Sequence, residues 1–432
     1  MMNLEKLLRF GRKIIPKSLF EFFQPIYHFW LSFVASLIYG FPYRKLKVIG
    51  VTGTNGKSTV VHLISQVLED AGHSVAMASS IEFKIKDKVW KNELKMTMPG
   101  RFKLQKFLSQ AAKAGCQYLI LEVTSEGIRQ HRQRFIRFYT TLLTNLTEEH
   151  LESHGGFDNY KRAKAKLFHQ LRTRGKSIVN LDDPNANYFL QFPAAAKWGY
   201  GIDFQSSDQV NVTVKASNYQ LSQHGINFRV DGQNFKVNLL GKFNLYNVLA
   251  TMSICLMEKV PLDQIKLSLA KVKGIPGRLE VVLKEPFSVI VDYAHTPDAL
   301  EKVYQMIKES FSGKIIGVLG AAGGGRDKWK RPEFAKIAEK YLDKIIITNE
   351  DPYDENPQVI INDISKGLKE KSAEEFTDRR LAIRRALKLA QEGDVVIITG
   401  KGCEPWMCLA HGKKIPWDDR EVVREEFKKL NK

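Results

Sequence analysis

Cysteine is scarce in this 432-residue chain, and the four present, Cys116, Cys255, Cys403 and Cys408, include no CxxC pair. A disulfide framework and a zinc site of paired cysteines are excluded, and a reducing compartment is implied. No secretory leader with a small-residue cleavage site is legible, and no uninterrupted apolar run reaches the roughly 20 residues that a spanning helix requires. Internal repeats and low-complexity segments are missing, which excludes a solenoid or a tether. Acid is the minority charge: 47 Asp and Glu stand against 66 Lys and Arg, a formal net charge of +19. That balance favours anionic partners without choosing among nucleotides, phosphorylated substrates and acidic lipid. No aromatic-interleaved basic stretch of the RNA-reading kind is found, so no nucleic-acid partner is expected.

What is present falls into three stretches. Residues 1–45 carry Arg9, Arg12, Lys13 and Lys17, then an apolar, aromatic run from Leu19 to Phe41, then Arg44, Lys45 and Lys47. The run is broken by Glu21, Gln24, Pro25 and His28. Two readings stay open for it: a helix lying on an acidic bilayer surface, and a helix packed on the protein's own body. From Lys47 the texture changes to strand, Gly-rich turn and helix, the last stopped by Gly72. QYLILEV and FYTTLLTNL read as further strands, Lys161 to Leu171 as a basic helix, and 209–240 as antiparallel hairpins. Gly and Pro cluster at Gly274 to Arg278, a plausible boundary. Beyond it FSVIVDYA, KIIGVLGAAGGG, KIIITNEDP and DVVIITGKG alternate with helical segments, each strand ending in Gly, Asp or Pro. The expected architecture is α/β: an N-terminal helical segment over 1–45, a central nucleotide-binding domain with a mostly parallel sheet over 46–276, and a doubly wound, Rossmann-like domain over 277–432.

The sharpest chemical signal is Gly53-Thr54-Asn55-Gly56-Lys57-Ser58-Thr59, placed between a strand and a helix. Glycines let backbone N–H groups converge on phosphates, and the helix start adds positive dipole. Lys57 can neutralise β/γ-phosphate charge and Ser58 can ligate magnesium. Val51 occupies the position where the usual phosphate loop begins with Gly. Such a loop alone leaves kinase, motor ATPase, GTPase and ligase open.

The residues around it narrow the choice. TGTNGKST, Glu122-Val123-Thr124-Ser125, Thr144-Asn145-Leu146 running into Glu149-His150-Leu151-Glu152-Ser153-His154, and Ala163-Lys164-Ala165-Lys166-Leu167-Phe168 follow one another in order. After them come Gly241-Lys242-Phe243-Asn244-Leu245-Tyr246-Asn247, Pro276-Gly277-Arg278-Leu279-Glu280, and Asp292-Tyr293-Ala294-His295-Thr296-Pro297-Asp298. Gly323-Gly324-Gly325-Arg326-Asp327 and Gly400-Lys401-Gly402-Cys403-Glu404 complete the series, with Asp418-Asp419-Arg420-Glu421 near the end. In this order and spacing the chain resembles the Mur ligases over roughly residues 47 to 425, and its C-terminal motifs resemble those of their tripeptide synthetases. Glutamates replace two aspartates at Glu149 and Glu152, and Ser153 and Gly325 also depart from the family pattern.

The resemblance implies an ATP-dependent acid–amino-acid ligase of peptidoglycan precursor synthesis. It implies ATP and two magnesium ions as cofactors, with Ser58, Glu122, His150 and a carbamylated Lys164 at the metals. It further implies Asn244, Asn247, Arg278 and Asp292 on the nucleotide, alongside the phosphate loop. Thr97, Thr124, Ser125 and Arg132 match positions near a muramoyl-peptide acceptor. Asp351, Pro352, Tyr353 and Glu404 match positions around the incoming free amino acid. Tyr353 replaces the arginine of enzymes that add meso-diaminopimelate, so that amino acid is not supported by this motif; lysine or another diamino acid stays open. The family's uridine-holding domain of roughly a hundred residues is expected to be missing ahead of the loop, and the acceptor to be lipid-linked or membrane-proximal, at the inner face of the membrane. Two rivals remain: another ligase of the same superfamily acting on a different acceptor, and a non-catalytic nucleotide-binding scaffold.

Overall fold

A computed structural model describes residues 17–94, 96–148, 154–205 and 207–430. The chain divides into two compact units, Met1–Thr213 with Ser253–Met257, and Val214–Met252 with Glu258–Lys432.

The first unit is organised by a nine-stranded sheet. Its strands are β1 (Lys47–Thr52), β2 (Val75–Ala78), β3 (Glu82–Ile85), β4 (Lys88–Lys91), β5 (Tyr118–Glu122), β6 (Thr140–Leu143), β7 (Lys176–Asn180), β8 (Ala196–Gly201) and β9 (Val212–Lys215). They lie in the order β4-β3-β2-β5-β1-β6-β7-β8-β9. β2, β5, β1, β6, β7 and β8 run parallel, so both faces need cover, and the inner strands are wholly buried β-branched and leucine-rich runs. β3 and β4 extend one edge as an antiparallel hairpin that no sequence pattern had singled out. Val212–Lys215 was expected in a hairpin; it instead edges the large sheet, with three of its four residues exposed, as an edge strand tolerates.

Helix Lys17–Ile38 has two unlike faces. Its inner face rests on the loop after β5: Phe29 and Phe33 meet the Phe135 ring edge-on, and Ser32 Oγ donates to the His131 carbonyl at 2.7 Å. The opposite face exposes Phe23, Tyr27, Trp30, Val34 and Leu37 at alternating spacings of four and three, one helical stripe. Both readings of the segment therefore retain a physical basis. No helix among the described residues is long and apolar enough to cross a membrane.

The second unit holds a three-stranded antiparallel sheet, β10 (Ser217–Ser222), β11 (Gly225–Val230) and β12 (Gln233–Val237), where the alternating pattern predicted hairpins. It also holds a six-stranded sheet of β13 (Glu280–Leu283), β14 (Ser288–Val291), β15 (Ile315–Leu319), β16 (Lys344–Thr348), β17 (Ala373–Phe376) and β18 (Val395–Ile398). The order is β13-β14-β18-β15-β16-β17, parallel from β14 onward. Separate apolar clusters cover its two faces, as a doubly wound sheet requires. Its ligand-accepting edge lies beyond the carboxyl ends of the strands.

Candidate active site

Parallel pairing in the first unit sets the carboxyl ends of β1, β5 and β6 side by side, with Val51 opposite Glu122. The phosphate loop leaves β1 at Thr52. Gly53 has φ +149°, and a Cβ there would collide with the Thr144 hydroxyl, so the turn depends on glycine. Gly56, with φ +81°, precedes helix Lys57–Asp70 and lets the chain enter it abruptly. The loop is braced from β6. Thr144 Oγ1 donates to the Asn55 carbonyl at 2.7 Å, and Asn145 both accepts from Asn55 N at 2.9 Å and donates to its carbonyl at 3.1 Å. Thr54 Oγ1 accepts from Thr147 N at 3.0 Å and lies 3.2 Å from the Tyr160 hydroxyl.

Three chemistry-bearing groups converge on this loop. Lys57 Nζ donates to the Thr54 carbonyl at 2.6 Å. Lys164, on helix Phe157–His169 and almost fully buried, donates to the Gly53 carbonyl at 2.7 Å and lies over the Tyr160 ring. Glu122 Oε2 accepts from the Ser58 hydroxyl at 2.9 Å and from Ser80 N at 2.8 Å, and the Ser58 and Ser80 hydroxyls are 2.8 Å apart. Thr59 is buried in the first helical turn. A buried carboxylate beside two hydroxyls is a hard-oxygen set that suits magnesium completed by phosphate oxygens and water. Among the described residues no group of three His, Cys, Asp or Glu could hold a metal unaided. His150 lies outside the described residues. Ser80 and Tyr160 escaped the sequence reading; the carboxyl end of a parallel strand was the available signal for Ser80.

The acceptor-matching residues border this region. Thr97 precedes helix Arg101–Lys113, Thr124 Oγ1 caps helix Ser125–Arg129 by accepting from Gly127 N at 3.0 Å, and Ser125 Oγ meets His154 Nε2 at 3.1 Å. Arg132 donates to the Met98 carbonyl and to Gln130 Oε1.

In the second unit Asn244 and Asn247 sit buried at the start of helix Lys242–Met257. Asn247 Nδ2 donates to Asn244 Oδ1 at 2.9 Å, and Asn244 Nδ2 to the Leu240 carbonyl at 2.8 Å. Asp292 lies just past β14 and accepts from Leu279 N and Ala294 N, both at 2.7 Å; burial nevertheless raises its carboxyl above the usual range. From there a chain of contacts runs along the strand ends. Arg278 lies over the Tyr293 ring at 4.2 Å, the Tyr293 hydroxyl donates to Glu404 Oε1 at 3.1 Å, and buried Lys401 bridges Glu404 and Asp351 Oδ1, the latter at 3.0 Å. Pro352 and Tyr353 follow Asp351, and Tyr353 takes φ +52°, strained for a residue with a Cβ. Glu350 keeps one buried oxygen, Oε2, without a hydrogen-bond partner, and burial pushes its carboxyl up to about 7. Burial also raises the Cys403 thiol to about 11, so it is no thiolate nucleophile. Sequence motifs pointed to Asp351 and Glu404. They gave no sign of Arg379, fully buried between both oxygens of Asp419 and the carbonyls of Asn349 and Thr399.

Comparison with known proteins finds relatives over most of the chain. The Mur ligase middle domain matches residues 51–255, and the Mur ligase glutamate ligase domain matches residues 277–402. The UDP-N-acetylmuramoyl-L-alanyl-D-glutamate–2,6-diaminopimelate ligase of Clostridium botulinum is 36% identical over 407 residues, covering 93% of this chain and 82% of its own. The UDP-N-acetylmuramyl-tripeptide synthetase of a Roseiflexus species is 34% identical over 426 residues, with coverage of 93% and 82%. Among solved structures, a UDP-N-acetylmuramoyl-L-alanyl-D-glutamate–2,6-diaminopimelate ligase superposes with TM-score 0.62 at 29% identity, covering 90% of this chain and 79% of that one. Mycobacterium tuberculosis folylpolyglutamate synthase shares the fold, with TM-score 0.67 at 15% identity and coverage of 86% and 92%.

Proposed function

The chain belongs to the Mur ligase family of ATP-dependent amide ligases, and from that premise we propose that it joins a free amino acid to the carboxylate of a muramoyl-peptide-type acceptor in peptidoglycan precursor synthesis. The observation that carries this reading is the convergence of Lys57, Lys164, Ser58 and Glu122 on one glycine-dependent loop. In this reading residues 46–276 handle the nucleotide and acceptor, and residues 277–432 the amino acid.

A carboxylate is a poor electrophile, so an amide forms in water only after activation. The acceptor carboxylate oxygen attacks the γ-phosphorus of ATP, ADP departs, and an acyl phosphate results. The amine of the incoming amino acid then attacks the acyl carbon, inorganic phosphate leaves, and the amine gives up a proton. Lys57 spreads charge on the transferring phosphoryl group, and the backbone N–H groups of Gly53 to Gly56 cradle the phosphates. Ser58 and Glu122 would hold one magnesium ion and His150 with a carbamate on Lys164 a second, and magnesium bound there would supply further neutralisation of phosphate charge. Carbamylation exchanges a buried cation at Lys164 for an anion. Asn244, Asn247, Arg278 and Asp292 serve the rest of the nucleotide. Glu350 and Glu404 suit an amino acid with a second ammonium group, a diamino acid, while Tyr353 withholds the bidentate clamp that an arginine offers a carboxylate.

The exposed stripe of helix Lys17–Ile38 supports peripheral contact with the anionic inner face of the cytoplasmic membrane. Trp30 is 57% and Leu37 58% exposed, and Arg44, Lys45 and Lys47 follow with exposed side chains of the complementary charge. Acidic-liposome flotation with Trp30→Glu/Leu37→Glu tests this: the variant stays in the soluble fraction while wild type floats, and equal recovery overturns the membrane contact. The ligase reading is tested by mass spectrometry of the products from ATP, a muramoyl-dipeptide acceptor and mixed amino acids. Phosphate release without any joined product would overturn it.

A further inference from the structure

We propose that Tyr293 is a positioning residue shared by two substrates: its hydroxyl sets Glu404 for the ammonium of the incoming amino acid, and its ring seats Arg278 for the nucleotide, so that the two bind cooperatively. The inference rests on the proposed ligase function, in which Arg278 serves the nucleotide and Glu404 the amino acid. It adds Tyr293, which that function leaves without a role.

Tyr293 follows β14 and touches both side chains. The Arg278 guanidinium lies 4.2 Å from its ring centre, and its hydroxyl donates to Glu404 Oε1 at 3.1 Å. A guanidinium stacked on an aromatic face keeps its N–H edge for hydrogen bonds. Burial, then Glu404, hold the phenol far above its usual range, so the hydroxyl is a donor at any working pH. Glu404 accepts through Oε2 from Lys401, and Lys401 also holds Asp351 Oδ1 at 3.0 Å. Each carboxylate oxygen is thus fixed by one donor, and 28% of the side chain is exposed. The group is oriented, yet retains lone pairs that an ammonium can reach.

The turn that carries Arg278 is braced from two sides. Gly277 N donates to Glu280 Oε2 at 2.8 Å, and Arg420 Nη1 donates to the same oxygen at 3.1 Å. Arg420 also clamps Asp418 through Nε and Nη2 at 2.9 and 2.7 Å. Cys403 Sγ donates to the Pro276 carbonyl at 3.2 Å, and a Cβ at Gly277 would stand 2.4 Å from Cys403 N. The Arg278 turn is therefore seated directly on the loop that carries Glu404, and Tyr293 touches a side chain from each.

Cooperativity follows from charge. Arg278 and an incoming ammonium are like charges, one at the face and one at the hydroxyl end of the same ring. A phosphate engaging Arg278 offsets the charge that opposes the ammonium at Glu404. Linkage makes the effect reciprocal: an ammonium on Glu404 leaves Arg278 freer for phosphate.

The test uses the full chain with Tyr293→Phe, Tyr293→Leu and, as a control, Tyr341→Phe, which removes a hydroxyl bonded to Glu301 at 3.2 Å near the opposite, amino end of β16. Mass spectrometry identifies the amino acid that wild type joins to muramoyl-dipeptide from a mixture that includes L-lysine, L-ornithine and meso-diaminopimelate. KM is measured for each substrate, and that amino acid is titrated calorimetrically with and without magnesium and a non-hydrolysable ATP analogue. In wild type the analogue is expected to tighten amino-acid binding about tenfold. Tyr293→Phe keeps the ring and loses the hydroxyl, so it should raise amino-acid KM and Kd about tenfold and leave the ATP KM within about twofold. Tyr293→Leu loses the ring as well and should raise the ATP KM about threefold besides. Both should cut the coupling to within about twofold, while Tyr341→Phe matches wild type. Unchanged amino-acid KM and coupling in Tyr293→Phe overturns the inference, as does an analogue without effect on wild type, or a parallel rise in all three KM values with a lowered melting temperature. Any of these results beside product from wild type leaves the ligase reading standing. If wild type joins and binds no amino acid of the mixture, the ligase reading and the inference fall together.

Discussion

At the phosphate loop Lys57 and Lys164 rest on backbone carbonyls, whereas along the carboxyl ends of the second unit's strands Lys401 and Arg379 rest on carboxylates. In the proposed function Lys57, resting on a neutral oxygen, turns its charge to the transferring phosphoryl group, whereas Lys164 is the side chain that takes up the carbamate. An arginine locked to both oxygens of Asp419 has none to spare and serves the fold instead. On the proposed function, the first region would take a triphosphate and an acidic acceptor, and the second, with Glu350 and Glu404, an amine.

The comparison breaks most decisively at Lys57. Lys57→Ala should lower amide formation by about 10³-fold or more, leaving the melting temperature nearly unchanged because only one carbonyl contact is lost. Comparable activity would deny the loop its role. Arg379→Met should do the reverse: it strands Asp419 as a buried, unpaired charge, at a cost of about 3–5 kcal/mol in chemical denaturation. A shift below about 1 kcal/mol would show the pair to be dispensable.

Lys164→Ala is expected to reduce turnover about 100-fold and to be partly rescued by short carboxylates. Full activity without rescue would remove that side chain from catalysis, and impairment without rescue would argue against the carbamate. The smallest effect concerns pH. Glu350 has a folded-state value of about 7, above its unfolded 4.5, so the folded chain binds the extra proton between those values. Its contribution is fully present below about 4.5 and is lost as pH rises through about 7. Stability should fall by about 1–3 kcal/mol across that window, and Glu350→Gln should flatten the decline; parallel curves for the two proteins would refute the assignment.

Much of the site was legible because its residues are tied to local backbone. Gly53 and Gly56 are required by turns that follow from a strand–loop–helix order, and Glu122 and Asp292 stand where parallel strands stop. The β-branched, leucine-rich runs of β5, β6, β14, β15, β16 and β18 announce buried parallel strands. The hairpin of β3 and β4 was not legible, since its eight residues include four charged ones and mimic a loop. Arg379 was hidden for a different reason: it is defined by partners distant along the chain, and one residue on a helix carries no periodic signal.

The amino-acid sequence by itself determined the phosphate loop, the order of the strands along the chain and the family to which the chain belongs, because each is written in short-range spacing. Only the tertiary structure decided that Lys57 and Lys164 lie on backbone carbonyls while Lys401 and Arg379 lie on carboxylates, and that one face of the Lys17–Ile38 helix is covered while the other is bare. The physical reason is that charge pairing and burial depend on neighbours brought close by packing, and separation along the chain says nothing about them.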